Sequence, residues 1–177
     1  MGCTEARVLI IDDTPERHTL LPEGVVSFRV LHPLEVDDSS LDGIDLICVD
    51  EYLGDEWAAE IQRRVSDLPA LHNSDGLAVA ASLRSRARLA DRSGAPGFAV
   101  ALFTAELGKL SEDLPEARQE PLTASMHDLE WVFRFESGPA SFGERVEELA
   151  HASRSITDVD VAANGDSWLG IGTYAWA

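Results

Sequence analysis

Positive charge is what this sequence most lacks. Lys109 is its only lysine, and 14 lysines and arginines stand against 32 acids, a formal net charge of −18. Such a surface repels phosphate backbones and anionic headgroups, so no direct nucleic-acid partner and no membrane partner is expected. Most of this charge reads as a solvated surface that keeps a domain soluble. Cations, or basic patches on partner proteins, are the ligand classes it favours. Cysteine is also scarce. Cys3 and Cys48 have no CxxC or Cys/His neighbour at metal-binding spacing, and Cys48 sits in an apolar run, so it reads as a small core residue in a reducing compartment. No stretch approaches 18 consecutive apolar residues, and the N-terminus has no basic segment leading into an apolar one. A cytoplasmic location is therefore expected. The five histidines, His18, His32, His72, His127 and His151, show no ligand spacing and read as surface or capping residues.

What the sequence does have is a set of short apolar runs, each closed by a polar residue. Val8-Leu9-Ile10-Ile11 ends in Asp12-Asp13, Leu46-Ile47-Cys48-Val49 ends in Asp50, and Phe98 to Phe103 ends in Thr104. Runs of this length, rich in aliphatic residues, predict buried strands. Phe28 to Leu31 and Trp131 to Phe133 are weaker strand candidates. Helical patterns fill the gaps. Thr14 can cap a short helix with Pro15 at its first position. Trp57, Ile61 and Val65 recur every four residues, and Pro69 stops them. A longer helix begins at Leu77 and runs toward Arg92, and a last one carries Phe142, Val146 and Leu149. The stretch from Pro33 to Gly43 is short and acidic, which predicts a degenerate crossover. Strands alternating with helices predict a doubly wound, five-stranded parallel sheet covered on both faces. The domain is expected over residues 1–157. Residues 158–177, which end in Trp168 to Ala177, read as an aromatic tail or the start of a further module.

In a doubly wound sheet, ligands bind beyond the C-terminal strand ends. If the three main strands lie side by side, Asp12, Asp13, Asp50 and Thr104 share one cleft. Clustered carboxylates repel unless a cation neutralises them, and an all-oxygen set suits Mg²⁺. A carboxylate beside that ion can attack a phosphoryl group, and a hydroxyl can hold one of its oxygens. Read singly, an aspartate at a strand end is often only a turn former.

The ordered pieces resemble the receiver domain of bacterial response regulators, over roughly residues 6 to 156. They are Arg7 to Glu16 with its acid pair, Asp45 to Asp50, Asp75-Gly76-Leu77, Ala101 to Ala105 with its Thr-Ala, and Asp128 to Phe135. The resemblance implies a flavodoxin-like sheet, Mg²⁺ held by Asp12, Asp13 and Asp50, and phosphotransfer from a histidine kinase to Asp50. Thr104 would bind the phosphoryl group, and Trp131 would be the aromatic switch. It also shows departures. Arg134 falls where a lysine is expected and Phe135 where a proline is expected, and Arg is not a neutral exchange for Lys. Residues 51–74 form an insert, expected to carry an extra helix after the third strand. Two functions follow. One is a phosphorelay receiver with Asp50 as phosphoacceptor. The other is a degenerate receiver that takes no phosphate and works as a protein-interaction or regulatory module of a larger protein. The partner would be a kinase, another signalling protein, an effector domain or a second copy of the chain. A metal-dependent phosphatase or phosphotransferase is a weaker third reading, since no further acid/base pair is present, and no enzyme activity is expected.

Overall fold

A computed structural model describes residues 5–18, 21, 26–54, 76–92, 97–110, 112–135 and 139–158. Five strands form one sheet: β1 (Ala6–Ile11), β2 (Val26–Leu31), β3 (Leu46–Asp50), β4 (Ala99–Thr104) and β5 (Trp131–Arg134). Their order is β2-β1-β3-β4-β5, and every pair is parallel. This is an α/β sheet of flavodoxin-like topology. The expected insert helix with Trp57, Ile61 and Val65, and the tail beyond residue 158, lie outside the described residues.

Alternation along the strands explains both faces. Leu9, Ile11, Ile47, Val49, Val100 and Leu102 point to one side, where they meet Val79, Ala80 and Leu83 of helix α1 (Gly76–Arg92). The same aliphatic layer takes in Leu107, from the four-residue α2 (Leu107–Leu110), and Ala124, from α3 (Gln119–Met126). Val8, Ile10, Leu46, Cys48, Ala101 and Phe103 point the other way, onto Phe142, Val146, Leu149 and Ala150 of α4 (Pro139–Asp158). Residues buried on both sides of a parallel sheet read as continuous apolar runs, which is why β1, β3 and β4 were so plain in the sequence. Cys48 is fully buried, and burial pushes its thiol pKa far up, so it is a packing residue.

The thin crossover before β3 is two 3-10 turns, Pro33–Glu35 and Asp38–Leu41. Each is closed by a capping box: His32 with Glu35, and Asp37 with Ser40. His32 thus caps, as expected. His18 does not match its expectation: it is buried, and its surroundings belong to the site below. Among the described residues, no helix is long and apolar enough to cross a membrane.

Candidate functional site

The order β2-β1-β3-β4-β5 reverses direction between β1 and β3, so the ends of β1, β3 and β4 border one crevice. Asp12 and Asp13 follow β1 directly, Asp50 ends β3, and Thr104 ends β4. One carboxylate oxygen from each of Asp12, Asp13 and Asp50 lies within 4.8 Å of the others. Asp13, Asp50 and Thr104 line a cavity of about 500 Å³ above the sheet edge, and Asp12 is buried beneath it. Two glycines let the walls close in. Gly54 has φ +71 and packs against the Asp13 carboxylate, while Gly76 starts α1 hard against the Asp50 carbonyl. A side chain at either position would collide with those atoms. The Gly76 N–H donates to the Glu51 carbonyl at 2.8 Å, tying the helix start to the end of β3.

The turn after β1 brings two further residues into the cluster. Pro15–His18 is a 3-10 turn, and the Arg17 N–H donates back to the Thr14 carbonyl. That reversal folds Arg17 and His18 back over the strand end. The Arg17 guanidinium donates to both Asp12 oxygens, at 2.9 and 3.0 Å, and to Asp50 Oδ2 at 2.6 Å. It also lies 3.9 Å from Asp13. His18 Nε2 is 2.7 Å from Asp12 Oδ2. An ionised carboxylate only accepts, so the histidine donates there. The Thr14 N–H donates to Asp12 Oδ1 at 2.7 Å. The rest of the His18 ring packs on Phe103, Phe135 and Phe142, with centroids 5.1 to 6.3 Å away.

These contacts set the acidities. Burial raises the Asp12 pKa, but the hydrogen bonds from His18, Arg17 and Thr14 outweigh it and bring it below the usual carboxylate value. Asp50 has fewer donors. Burial and the neighbouring charge of Asp12 push it up to about 6, against the pull of the Tyr52 N–H and Arg17. Asp13 is raised by burial and by the Asp12 charge. Arg17 loses some basicity to burial but gains more from Asp12 and Asp50, so it stays firmly charged.

The far wall carries more negative charge. The Thr104 hydroxyl faces the Glu51 carboxylate at 3.4 Å, and accepts from the Glu106 N–H at 3.0 Å. Glu51 and Glu106 both line the cavity. From the end of β5, the residue that reaches the cavity is Phe135, with the Arg17 Cζ 5.9 Å from its ring centroid. Arg134, expected here, lines a different cleft with Glu120, Phe133 and Arg145. Alternation explains this: Arg134 and Phe135 are neighbours on a strand and its exit, so they take opposite directions. Trp131 is half-buried against the aromatic face. It pairs in register with Ala101, three residues before Thr104, about 10 Å back along the strand. Lys109 pairs with Glu106 at 2.5 Å on the surface and is not among the cavity-lining residues.

A hard cation is the natural ligand of three converged carboxylates, and the donor types here fit one. The donor lone pairs do not. A carboxylate offers about four acceptor positions, and Asp12 uses its two oxygens on Thr14, His18 and two contacts from Arg17. One oxygen of Asp50 is also taken by Arg17. As arranged, the acid cluster already holds a cation of its own, the Arg17 guanidinium.

Arg17 and His18 were not singled out in the sequence as site residues. The available signal was the Thr14-Pro15 start immediately after the acid pair, because a turn of that length returns residues 17 and 18 to the strand end.

Compared with protein-family models and with curated proteins, the sequence finds no match.

Proposed function

We propose that this chain is a receiver-type signalling domain that does not run the phosphorelay reaction, and that it serves as a cytoplasmic protein-interaction or regulatory module. The observation that carries this reading is the placement of Phe135 at the pocket wall with Arg134 in a separate cleft. Phosphoryl transfer to a carboxylate relies on positive charge around the transferring oxygens. Here the strand that would deliver that charge presents an uncharged ring. Beside Thr104, where a phosphoryl oxygen would be held, stands the Glu51 carboxylate. Two negative groups brought together in a low-dielectric pocket repel strongly. The resemblance in strand order and acid placement supports a receiver ancestry, and the changed walls support a lost acceptor. Partners would be other signalling proteins, or further domains of a larger protein, rather than a histidine kinase acting on Asp50.

The test is incubation with acetyl phosphate and Mg²⁺, read by intact mass. The expected result is no phosphorylated species, and none on Arg134→Lys either, since that position faces away from the pocket. A phosphorylated product that disappears in Asp50→Asn would instead establish the phosphorelay receiver, with Asp50 as acceptor and a histidine kinase as partner.

A further inference from the structure

The metal that the resemblance implies and the pocket found here disagree, and one side chain contributes most to the disagreement. The Arg17 guanidinium sits among the three carboxylates whose convergence would otherwise define a cation site. It touches Asp12 twice and Asp50 once at hydrogen-bond distance, and Asp13 lies 3.9 Å away. Its position follows from covalent structure: it is four residues from Asp13, on a turn fixed by Pro15 and by the Arg17-to-Thr14 backbone bond. Its neighbour His18 is locked beside it by Asp12 and three phenylalanines.

We propose that Arg17 is the resident cation of this pocket, a tethered guanidinium that occupies the place a divalent ion would need and keeps such ions out while it is there. A divalent ion bridging all three carboxylates would need a free oxygen from each, with room for its own waters. Asp12 has both oxygens committed. Of the Asp50 oxygens, Oδ2 is committed to Arg17, and Oδ1 accepts from the Tyr52 N–H at 3.3 Å. An ion could enter only by displacing the guanidinium, and it would then meet a second positive charge a few ångströms away. The tether also removes a concentration dependence. A free ion leaves the site when its concentration falls, whereas Arg17 is present at a constant effective concentration set by a few residues of chain. The pocket would therefore hold one charge state whatever the supply of divalent ions, as suits a domain that no longer responds through metal-assisted chemistry. Arg17 acts here as a positioning residue for Asp12 and Asp50.

The test uses the full chain and reads ion binding and stability rather than phosphorylation, so its failure leaves the regulatory-module reading standing. Mn²⁺ binding is followed by electron paramagnetic resonance, and thermal unfolding is measured in chelator and in increasing Mg²⁺. The wild type is expected to bind Mn²⁺ at least about tenfold more weakly than Arg17→Ala. Arg17→Ala should be less stable in chelator and recover as Mg²⁺ rises, with a dependence on the logarithm of ion concentration. Adding Asp13→Asn to Arg17→Ala should abolish the recovery. Should Arg17→Ala not fold in chelator, its circular dichroism is followed during Mg²⁺ addition, beside Arg17→Lys. The shorter lysine is a point charge without the planar fork, and it should give intermediate Mn²⁺ binding. Wild-type Mn²⁺ binding as tight as that of Arg17→Ala would overturn the proposal. So would binding in no variant, or an Arg17→Ala chain indifferent to Mg²⁺ beside an Arg17→Lys chain identical to wild type.

Discussion

Two corners of the same sheet edge behave in opposite ways. At the end of β1, Asp12 is fully buried yet more acidic than usual, because three residues donate to it. At the end of β3, Asp50 is nearly as buried, yet it is pushed up to about 6. Both are carboxylates closing an apolar strand. Burial acts against the charged form at both, and the count of donors decides the sign. The first corner is a structural ion-pair nest. The second is an acid held near its own tipping point, with Glu51 and Thr104 beyond it.

The sharpest way to break this comparison is to remove the donors' target. Asp12→Ala takes from the buried His18 its carboxylate partner and leaves Arg17 with Asp50 as its remaining hydrogen-bond partner among the described residues. Removing one partner of a buried ionic pair costs about 3–5 kcal/mol, and the partial exposure of Arg17 places this case at the low end. Urea unfolding at neutral pH should show that loss. A cost under roughly 1 kcal/mol would mean that Arg17 and His18 find other partners and that the nest is not a unit.

Asp50 should show the reverse sign. Its folded pKa lies above its unfolded value of 3.8, so between the two the folded state holds a proton that the unfolded state has released. Its contribution is most favourable below pH 3.8 and is lost as pH rises through about 6. Asp50→Asn removes that loss. The variant should be more stable than wild type at pH 7.5, by on the order of 1–3 kcal/mol, and the difference should close near pH 4. Asp12 works in the other direction, contributing above its unfolded value and losing that contribution as pH falls through its lowered folded pKa. A thermal series of both chains from pH 2 to pH 8 separates the two. Equal stability of Asp50→Asn and wild type across that range would show that the two corners do not differ as described.

The smallest effect is expected at Arg134, which stands where the resemblance places a lysine. Arg134 is exposed, and its side chain lies outside the acidic cavity. Arg134→Ala should change stability by less than about 0.5 kcal/mol and leave the pH profile of the pocket unchanged. A shifted profile would bring Arg134 back into the site.

Both corners were legible beforehand as strand ends, but their surroundings were not. The ends of β1, β3 and β4 could be read directly, because strands buried on both faces carry uninterrupted apolar runs and stop where the chain turns polar. The edge strands β2 and β5 gave weaker patterns, since Ser27 and Arg134 are exposed to solvent. Arg134 was placed correctly along the chain but not in direction. A one-residue step on a strand reverses the face, and the register Thr104↔Arg134 put Phe135 rather than Arg134 toward the cavity. His18 looked like a surface residue because nothing nearby in sequence covers it. Phe103, Phe135 and Phe142 come from elements more than 80 positions away.

The sequence by itself determined the parallel α/β sheet, its buried strands, and the presence of Asp12, Asp13, Asp50 and Thr104 at strand ends, because those features follow from local periodicity and from where apolar runs stop. Only the tertiary structure decided what surrounds the carboxylates. Arg17 reaches Asp50 across 33 positions and Glu51 reaches Thr104 across 53. Which charges meet in a pocket depends on strand order and on side-chain direction at each strand end, and neither is written in the local pattern.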